Sequence, residues 1–443
     1  MKDWFESTPD DKEYKYKFLV YPNITYSQDL ERDSYILVLV NVIKVLNSIR
    51  DDIHFTVLIP HQITSLSKFP NVDQLEYPLP TYPNTMRTHF DADLFLKLVD
   101  WKNNDYDVVY SHLPEHTAQI SNVLNNSTNI NPYIVGYCHW YEIDENTSYA
   151  KRMFLANIAG TLEMHECGVN SKWLKEFVID KAEKYFSHKV LQKLNHIIQP
   201  HYLGVDSIFD GESKVIPRSI IFNHRPNEYT GFDWFIKTLD ALYETRQDFK
   251  LYTTLADAQR PYAEKVNTDT RKEYLEFLRK MSVGVATFEN YSAWSISTTD
   301  GLSQGVPYLV PSKLCYPEMV PHNYLLYYNG REEFKKKLEL ALDEPKILKT
   351  SKESIQSFIP NMIWGNAVYE WFDNWKFLTH LPAVQRTESY EKIVAFIKNR
   401  GNVSKNDILE HMGWGVRIGF SNYRNLLRKE PGIKFTKTRY TYL

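Results

Sequence analysis

Apolar positions fall along this chain in short runs separated by amphipathic stretches, the pattern of strands alternating with helices. Lys17–Tyr21 (KFLVY) predicts a first strand, Ser34–Ile49 an apolar-rich helix and Ile53–Pro60 a second strand. The alternation continues with a helix over Asp91–Val99, a strand over Asp107–Ser111, a helix over Thr117–Leu124 and a strand over Pro132–His139. Met153–Glu163 reads as a helix, Cys167–Asn170 as a short strand and Ser171–Ile179 as a helix. A second alternation starts at the strand Ser219–Asn223, with a helix over Phe232–Tyr243, a strand over Phe249–Thr253, a helix over Tyr274–Met281 and a strand over Val283–Ala286. Tyr308–Val310 reads as a strand, Phe334–Leu342 as a helix, and Ser354–Leu378 as an aromatic helix interrupted near Pro360. This order predicts an α/β protein with parallel sheets covered on both faces, in two Rossmann-like halves. Ligands then belong at the carboxyl ends of the strands.

The last stretch follows a different pattern. Tyr390–Lys398 is helix-periodic and ends at Gly401, Ser404 caps a second helix, and a third is expected over about Gly419–Lys429. After Pro431-Gly432, IKFTKTRYTYL alternates like a hairpin. Three helices and a basic hairpin describe a small winged-helix-like domain. The expected divisions are an acceptor domain over 1–205, a nucleotide-sugar domain over 206–380 and the winged-helix-like domain over 386–443.

Charge sharpens this division. From Arg386 onward 12 Lys+Arg face 5 Asp+Glu, a surplus of seven, so the rest of a chain with net charge −3 carries −10. A basic tail on an acidic body predicts a polyanionic partner, with Arg417, Arg424, Arg428, Lys434, Lys437 and Arg439 as the DNA-binding candidates. A helical domain for protein contacts is the other reading of the same segment. The three cysteines, Cys138, Cys167 and Cys315, have no metal-ligand spacing. His112 and His116 are four apart, but Pro114 stands between them and no third ligand is evident, so no metal is expected. Without an apolar signal core or a membrane-length run, a cytoplasmic protein with no membrane insertion is expected. Neither half has the G-x-G-x-x-G of nicotinamide-binding enzymes.

The segment Ser292–Pro311 (SAWSISTTDGLSQGVPYLVP) carries the most chemistry. Hydroxyl residues precede a short helix, Gly305 suits its left-handed stop, and Pro307 ends it before a strand. A helix start offers unpaired N–H groups and a positive dipole end, which together hold a phosphate. The same pattern also serves as an ordinary helix-to-strand connection.

Three landmarks in order resemble GT-B glycosyltransferases, most closely the large family 4 of retaining enzymes. They are the strand-end His139 in VGYCHW, the segment FNHRPNEYTGF over Phe222–Phe232, and Ser292–Pro311 in place of the family's Glu-x7-Glu loop and helix. The resemblance implies that Arg225 holds the donor diphosphate and acts in catalysis, and that Asp300 binds the ribose hydroxyls. It places Trp294 and Ser295 against the donor sugar and phosphate, and His139 beside the transferred sugar. His139 reads equally as a core histidine. The sequence departs from the family where Thr230 replaces a lysine before Gly231 and Ser292 replaces the first glutamate, with Glu289 nearby. The lost lysine removes a charge opposite the diphosphate, and His224, Arg260 and Lys313 are candidates to replace it. If the reaction inverts, Glu115, Glu142 and Asp144 are candidate bases.

With the basic tail, the resemblance implies a bacteriophage-type enzyme that moves a sugar from a nucleotide diphosphate sugar, expected to be a UDP-sugar, to a hydroxymethylated pyrimidine in double-stranded DNA. Tyr26, Tyr82, Trp140 and Tyr141 are its candidate stacking surfaces. No cofactor beyond the donor is expected. The alternatives are a transferase building a surface glycan or a lipid-linked sugar, and a DNA-binding regulator with an inactive body.

Overall fold

The computed structural model describes residues 14–22, 34–49, 51–60, 69–77, 90–99, 101, 105–112, 114–128, 130–142, 148–365, 367–368, 388–412, 427, 432–436 and 439–442. These fall into two compact units. One takes the described residues up to Gly168, His188–Ile198 and those beyond 371; the other takes Val169–Ser187 and the described residues from Gln199 up to 370.

The first sheet has seven strands: β1 (Tyr16–Tyr21), β2 (Ile53–Pro60), β3 (Val72–Tyr77), β4 (Val108–His112), β5 (Tyr133–Cys138), β6 (Glu166–Val169) and β7 (Ile198–Pro200). Their order is β3-β2-β1-β4-β5-β6-β7. The pairs β2–β3, β1–β2, β1–β4 and β4–β5 are parallel. Buried on both faces, β4 reads as a continuous buried run, as parallel sheets require. Its helices include α1 (Ser34–Ile49), α2 (Ala92–Leu98), α3 (Thr117–Ser127) and α4 (Ser148–Leu162); next in the chain come α5 (Lys172–Glu183), which belongs to the other unit, and α6 (His188–Ile197). Asp91 caps α2 by accepting from Leu94 N–H at 2.9 Å.

The second sheet has six strands, in the order β10-β9-β8-β11-β12-β13. They are β8 (Ser219–Phe222), β9 (Lys250–Thr253), β10 (Ala263–Lys265), β11 (Val283–Val285), β12 (Tyr308–Pro311) and β13 (Tyr327–Tyr328), all parallel to their neighbours. The chain runs outward from β8 through β9 to β10, then returns to place β11 on β8's other side. That reversal opens a crevice at the carboxyl ends of β8 and β11. The helices are α7 (Phe232–Tyr243), α8 (Arg271–Leu278), α9 (Ile296–Ser303), α10 (Arg331–Asp343) and α11 (Pro345–Phe358). One core joins sheet and helices through Phe222, Phe235, Leu251, Leu309, Phe334 and Leu338.

The aromatic helix expected from Ser354 instead begins at Pro345, where a proline suits a first turn, and yields at Phe358 to a 3₁₀ segment, Ile359–Met362. Beyond 388, α12 (Glu388–Arg400), β14 (Asn402–Ser404), α13 (Lys405–His411), β15 (Ile433–Thr436) and β16 (Arg439–Tyr442) follow. The three strands form an antiparallel sheet, β14-β16-β15, over a core of Ile393, Ile397, Val403, Ile408, Leu427 and Tyr440. Ser404 closes a capping box with Asp407 at the start of α13. Of the expected third helix, over about Gly419–Lys429, Leu427 alone is among the described residues.

Candidate functional site

The carboxyl edge of the second sheet gathers most of the expected donor residues. β8 ends in Asn223, His224 and Arg225 before a 3₁₀ turn, Glu228–Thr230, and Gly231. Gly231 has φ 72°, and a Cβ there would stand 2.1 Å from the Thr287 carbonyl oxygen, so only glycine fits. Arg225 is exposed and forms no ion pair or side-chain hydrogen bond among the described residues.

Asn223 is buried, and its amide is fully used. Nδ2 donates to Tyr274 Oη at 2.8 Å and to the Ser297 carbonyl at 2.7 Å, while Oδ1 accepts from Tyr308 Oη at 3.1 Å. The end of β8 is therefore fastened to α8, to the first turn of α9 and to β12.

The start of α9 follows β11. Ser295 is its N-cap, accepting from Thr298 N–H at 3.2 Å and sharing a hydrogen bond with Thr298 Oγ1 at 2.8 Å. The N–H groups of Ile296 and Ser297 have no intrahelical acceptor at this end. Gly305 ends the helix in the left-handed conformation, at φ 78°. Ser292 is buried, and Cys315 Sγ lies 3.4 Å from its hydroxyl. Burial pushes the Cys315 thiol up to about 12, so it stays a neutral thiol. Tyr316 is buried with its phenol beside Ser292 and Ser295. The chain leaves β12 through Lys313 and Leu314; Leu314 has φ 62°, a conformation leucine seldom adopts. Lys313 is exposed, with no ion pair among the described residues. Trp294 packs 5.6 Å from the Tyr202 ring, and its indole N–H is buried without a partner.

The remaining charges are committed. Arg260 holds Asp240 through two bonds of 2.8 and 3.1 Å, and Arg331 holds Glu289 through two of 2.7 Å. Asp300 is buried, and both its oxygens accept from Arg271 at 2.6 Å. Glu318 accepts from the Lys172 and Trp173 N–H groups at 2.7 and 2.8 Å, and Ser171 accepts from Leu174 N–H at 3.0 Å, so the start of α5 is filled. His224 is enclosed by Phe222 and Phe288 and donates from Nε2 to the Val285 carbonyl at 3.1 Å. Burial pushes its imidazole down to about 4. Of the three candidate replacement cations, His224 is therefore neutral, Arg260 is paired with Asp240, and only Lys313 is open. Thr230, where a lysine was expected, is buried; its hydroxyl lies 2.8 Å from the Arg225 carbonyl and 2.6 Å from that of Asn227. It closes the turn that presents Arg225, a role no lysine could take.

In the first unit, His139 follows β5 and is buried 4.8 Å from the His112 ring and 4.9 Å from the Tyr137 ring. Burial pushes its imidazole down to about 3 and holds His112 well below the usual range, so both are neutral. His116 Nδ1 shares a hydrogen bond of 2.9 Å with Tyr21 at the end of β1. Among the described residues, no cluster of three His, Cys, Asp or Glu side chains could hold a metal. Tyr141 is buried with its phenol 2.9 Å from Thr161 Oγ1, which makes it core and not a stacking surface. Trp140 is half-buried and Glu142 is described, while Tyr26, Tyr82 and Asp144 lie outside the described residues. No helix among the described residues is long and apolar enough to cross a membrane.

No family model and no curated protein matches the sequence. The fold has clear counterparts among solved structures. The N-terminal domain of Candida albicans trehalose-6-phosphate phosphatase aligns with a TM-score of 0.61 at 10% identity, over 85% of this chain and 99% of that one. Sucrose-phosphate synthase from Thermosynechococcus elongatus aligns at 0.60 and 11% identity, over 83% and 100%. Anabaena HepE, solved with UDP and glucose, aligns at 0.59 and 10% identity, over 82% and 99%. The two Rossmann-like α/β domains are those of the GT-B fold.

These likenesses correct the expected bacteriophage DNA-base enzyme and its double-stranded DNA acceptor. These three counterparts are proteins named for sugar phosphates or solved with UDP and glucose, and none is named as a DNA-modifying enzyme. The DNA expectation rested on the winged-helix-like pattern and positive charge of the tail, joined to the glycosyltransferase resemblance. Of its six residues, Arg417, Arg424, Arg428 and Lys437 lie outside the described residues, and Lys434 is exposed on β15. Arg439 is engaged within the tail itself, donating to Asn402 Oδ1 at 2.7 Å and to the Asn402 carbonyl at 3.1 Å.

Proposed function

We propose that this protein is a glycosyltransferase that moves a sugar from a nucleotide diphosphate sugar, taken as a UDP-sugar, to a hydroxyl of a carbohydrate acceptor. One observation carries the reading: three anion-favouring features follow three adjacent parallel strands at one sheet edge. Arg225 follows β8, the open start of α9 follows β11, and Lys313 follows β12. A diphosphate bound there meets a guanidinium, a helix dipole with free N–H groups, and an ammonium. HepE's solved complex with UDP and glucose supports the choice of donor.

The chemistry breaks the bond between the anomeric carbon and the phosphate oxygen and forms one to the acceptor oxygen. Negative charge grows on the leaving diphosphate, and preorganised groups stabilise it there. Ser295 and Trp294 border that start, and Ser292 and Tyr316 offer neutral hydroxyls beside it. Glu289 and Asp300 are both occupied by arginines. The reading takes retention from the resemblance to retaining enzymes, with the acceptor proton passing to the leaving phosphate. His139, held neutral by burial, is taken as a hydrogen-bonding residue and not as a proton-transferring one. The residues from 386 on are taken as an interaction module of winged-helix type, beside domains at 1–205 and 206–380.

Incubation with UDP-glucose and a panel of sugar phosphates and glycans tests this. Release of UDP that depends on one acceptor is expected. Failure to bind UDP by calorimetry, with no release from any acceptor, overturns the reading.

A further inference from the structure

Arg271, the first residue of α8, lies between two carboxylates. Nη1 and Nη2 donate to the two oxygens of Asp300, each at 2.6 Å, while Nε and Nη2 donate to Asp206 Oδ2 at 3.1 and 2.9 Å. A guanidinium has five N–H bonds, and these contacts use four, leaving one on Nη1. The Asp300 side chain is 5% exposed and that of Arg271 28% exposed, so a ligand reaches the arginine first. Burial pushes the Asp300 carboxyl up, and Arg271 opposes the shift. The other ionisable groups facing Asp300 are Asp206, Tyr274 and Tyr308, and burial keeps both phenols protonated.

One guanidinium between two carboxylates leaves a local charge of about −1, which repels phosphate. The remaining N–H therefore suits a neutral oxygen. Asp300 lies five residues beyond the N-cap of α9, roughly 7 Å along the helix axis. A ribose attached to a phosphate held at the helix start spans that distance.

We propose that Arg271, and not Asp300, binds a ribose hydroxyl of the donor nucleotide, with Asp300 and Asp206 as positioning residues that hold the guanidinium. This rests on the donor-site reading above. The test is calorimetric titration of the full chain with UDP, 2′-deoxy-UDP and 3′-deoxy-UDP. The wild type is expected to bind one deoxy form about tenfold more weakly than UDP. Arg271→Lys, which keeps a cation for the carboxylates but loses the spare fork hydrogen, is expected to bind all three alike. Asp300→Asn is expected to weaken all three while preserving the discrimination. Discrimination lost in Asp300→Asn but kept in Arg271→Lys overturns the proposal and makes Asp300 the ligand. A wild type that binds UDP without discrimination overturns it while the donor reading stands. A wild type that binds no UDP sinks the donor reading, and this proposal with it.

Discussion

Asn223 donates its side-chain amide to the Ser297 carbonyl at 2.7 Å, which locks the end of β8 to the first turn of α9. The phosphate-favouring helix start and the arginine beside it are thus held in one frame. Asn223→Leu removes the amide and leaves Tyr274, Tyr308 and the Ser297 carbonyl each short of a partner in a buried setting. A loss of about 2–4 kcal/mol is expected from urea midpoints. An unchanged midpoint would show that this bridge is not structural.

Arg225 makes the opposite prediction. It is exposed and unpaired, so Arg225→Ala should change stability by no more than about 0.5 kcal/mol. Turnover should fall on the order of 100-fold in kcat/KM, because the charge is needed as the diphosphate leaves. Steady-state kinetics on the folded variant decide this, and wild-type rates would remove Arg225 from the site.

Thr230→Lys places a lysine where the glycosyltransferase resemblance expects one. Thr230 is buried and closes the Arg225 turn, so the variant should lose roughly 2–4 kcal/mol by overpacking and by burying a charge. It should gain no affinity for UDP. Tighter UDP binding at unchanged stability would reverse this assignment.

His224 predicts a pH effect. Folding holds its imidazole neutral down to about 4, whereas an unfolded histidine takes up a proton near 6.5. Between those values the unfolded chain binds more protons, so stability is complete above about 6.5 and falls as pH drops toward 4. About 2 kcal/mol should be lost between roughly pH 7.5 and pH 5 through this residue. His224→Gln keeps a donor for the Val285 carbonyl without titrating. Urea midpoints at the two pH values should separate variant from wild type, and a parallel decline would rule out His224 as the cause.

The α/β alternation was legible in sequence because inner strands are apolar runs and covering helices are amphipathic: the strand Ile53–Pro60 and the helix Phe232–Tyr243 have the bounds their patterns predict. The edge strands β3, β10 and β13 were not. Their short, half-exposed runs carry charges or only two residues, and neighbouring strands define them more than their own composition does. Arg225 and Ser295 could be named in sequence because each sits within a contiguous motif, whereas Lys313 is one of three candidate cations that the sequence does not separate. Arg271 could not be named, since 29 residues separate it from Asp300 and no local motif ties them together. The committed state of Asp300, Glu289 and Arg260 likewise depends on partners distant in sequence. The DNA acceptor was an inference from the pattern and charge of the tail, and a charge count includes residues such as Arg439 whatever they are bound to.

The carboxylate of Glu318 occupies a helix start that would otherwise attract an anion. The helix starts of α5 and α9 lie in the same unit, and each carries the positive dipole end that attracts an anion. Glu318 fills the first with a ligand from the protein itself, so phosphate finds that docking point already quenched. The fold suppresses a decoy by internal competition. Glu318→Gln, by weakening that plug, would give the nucleotide a second place to go.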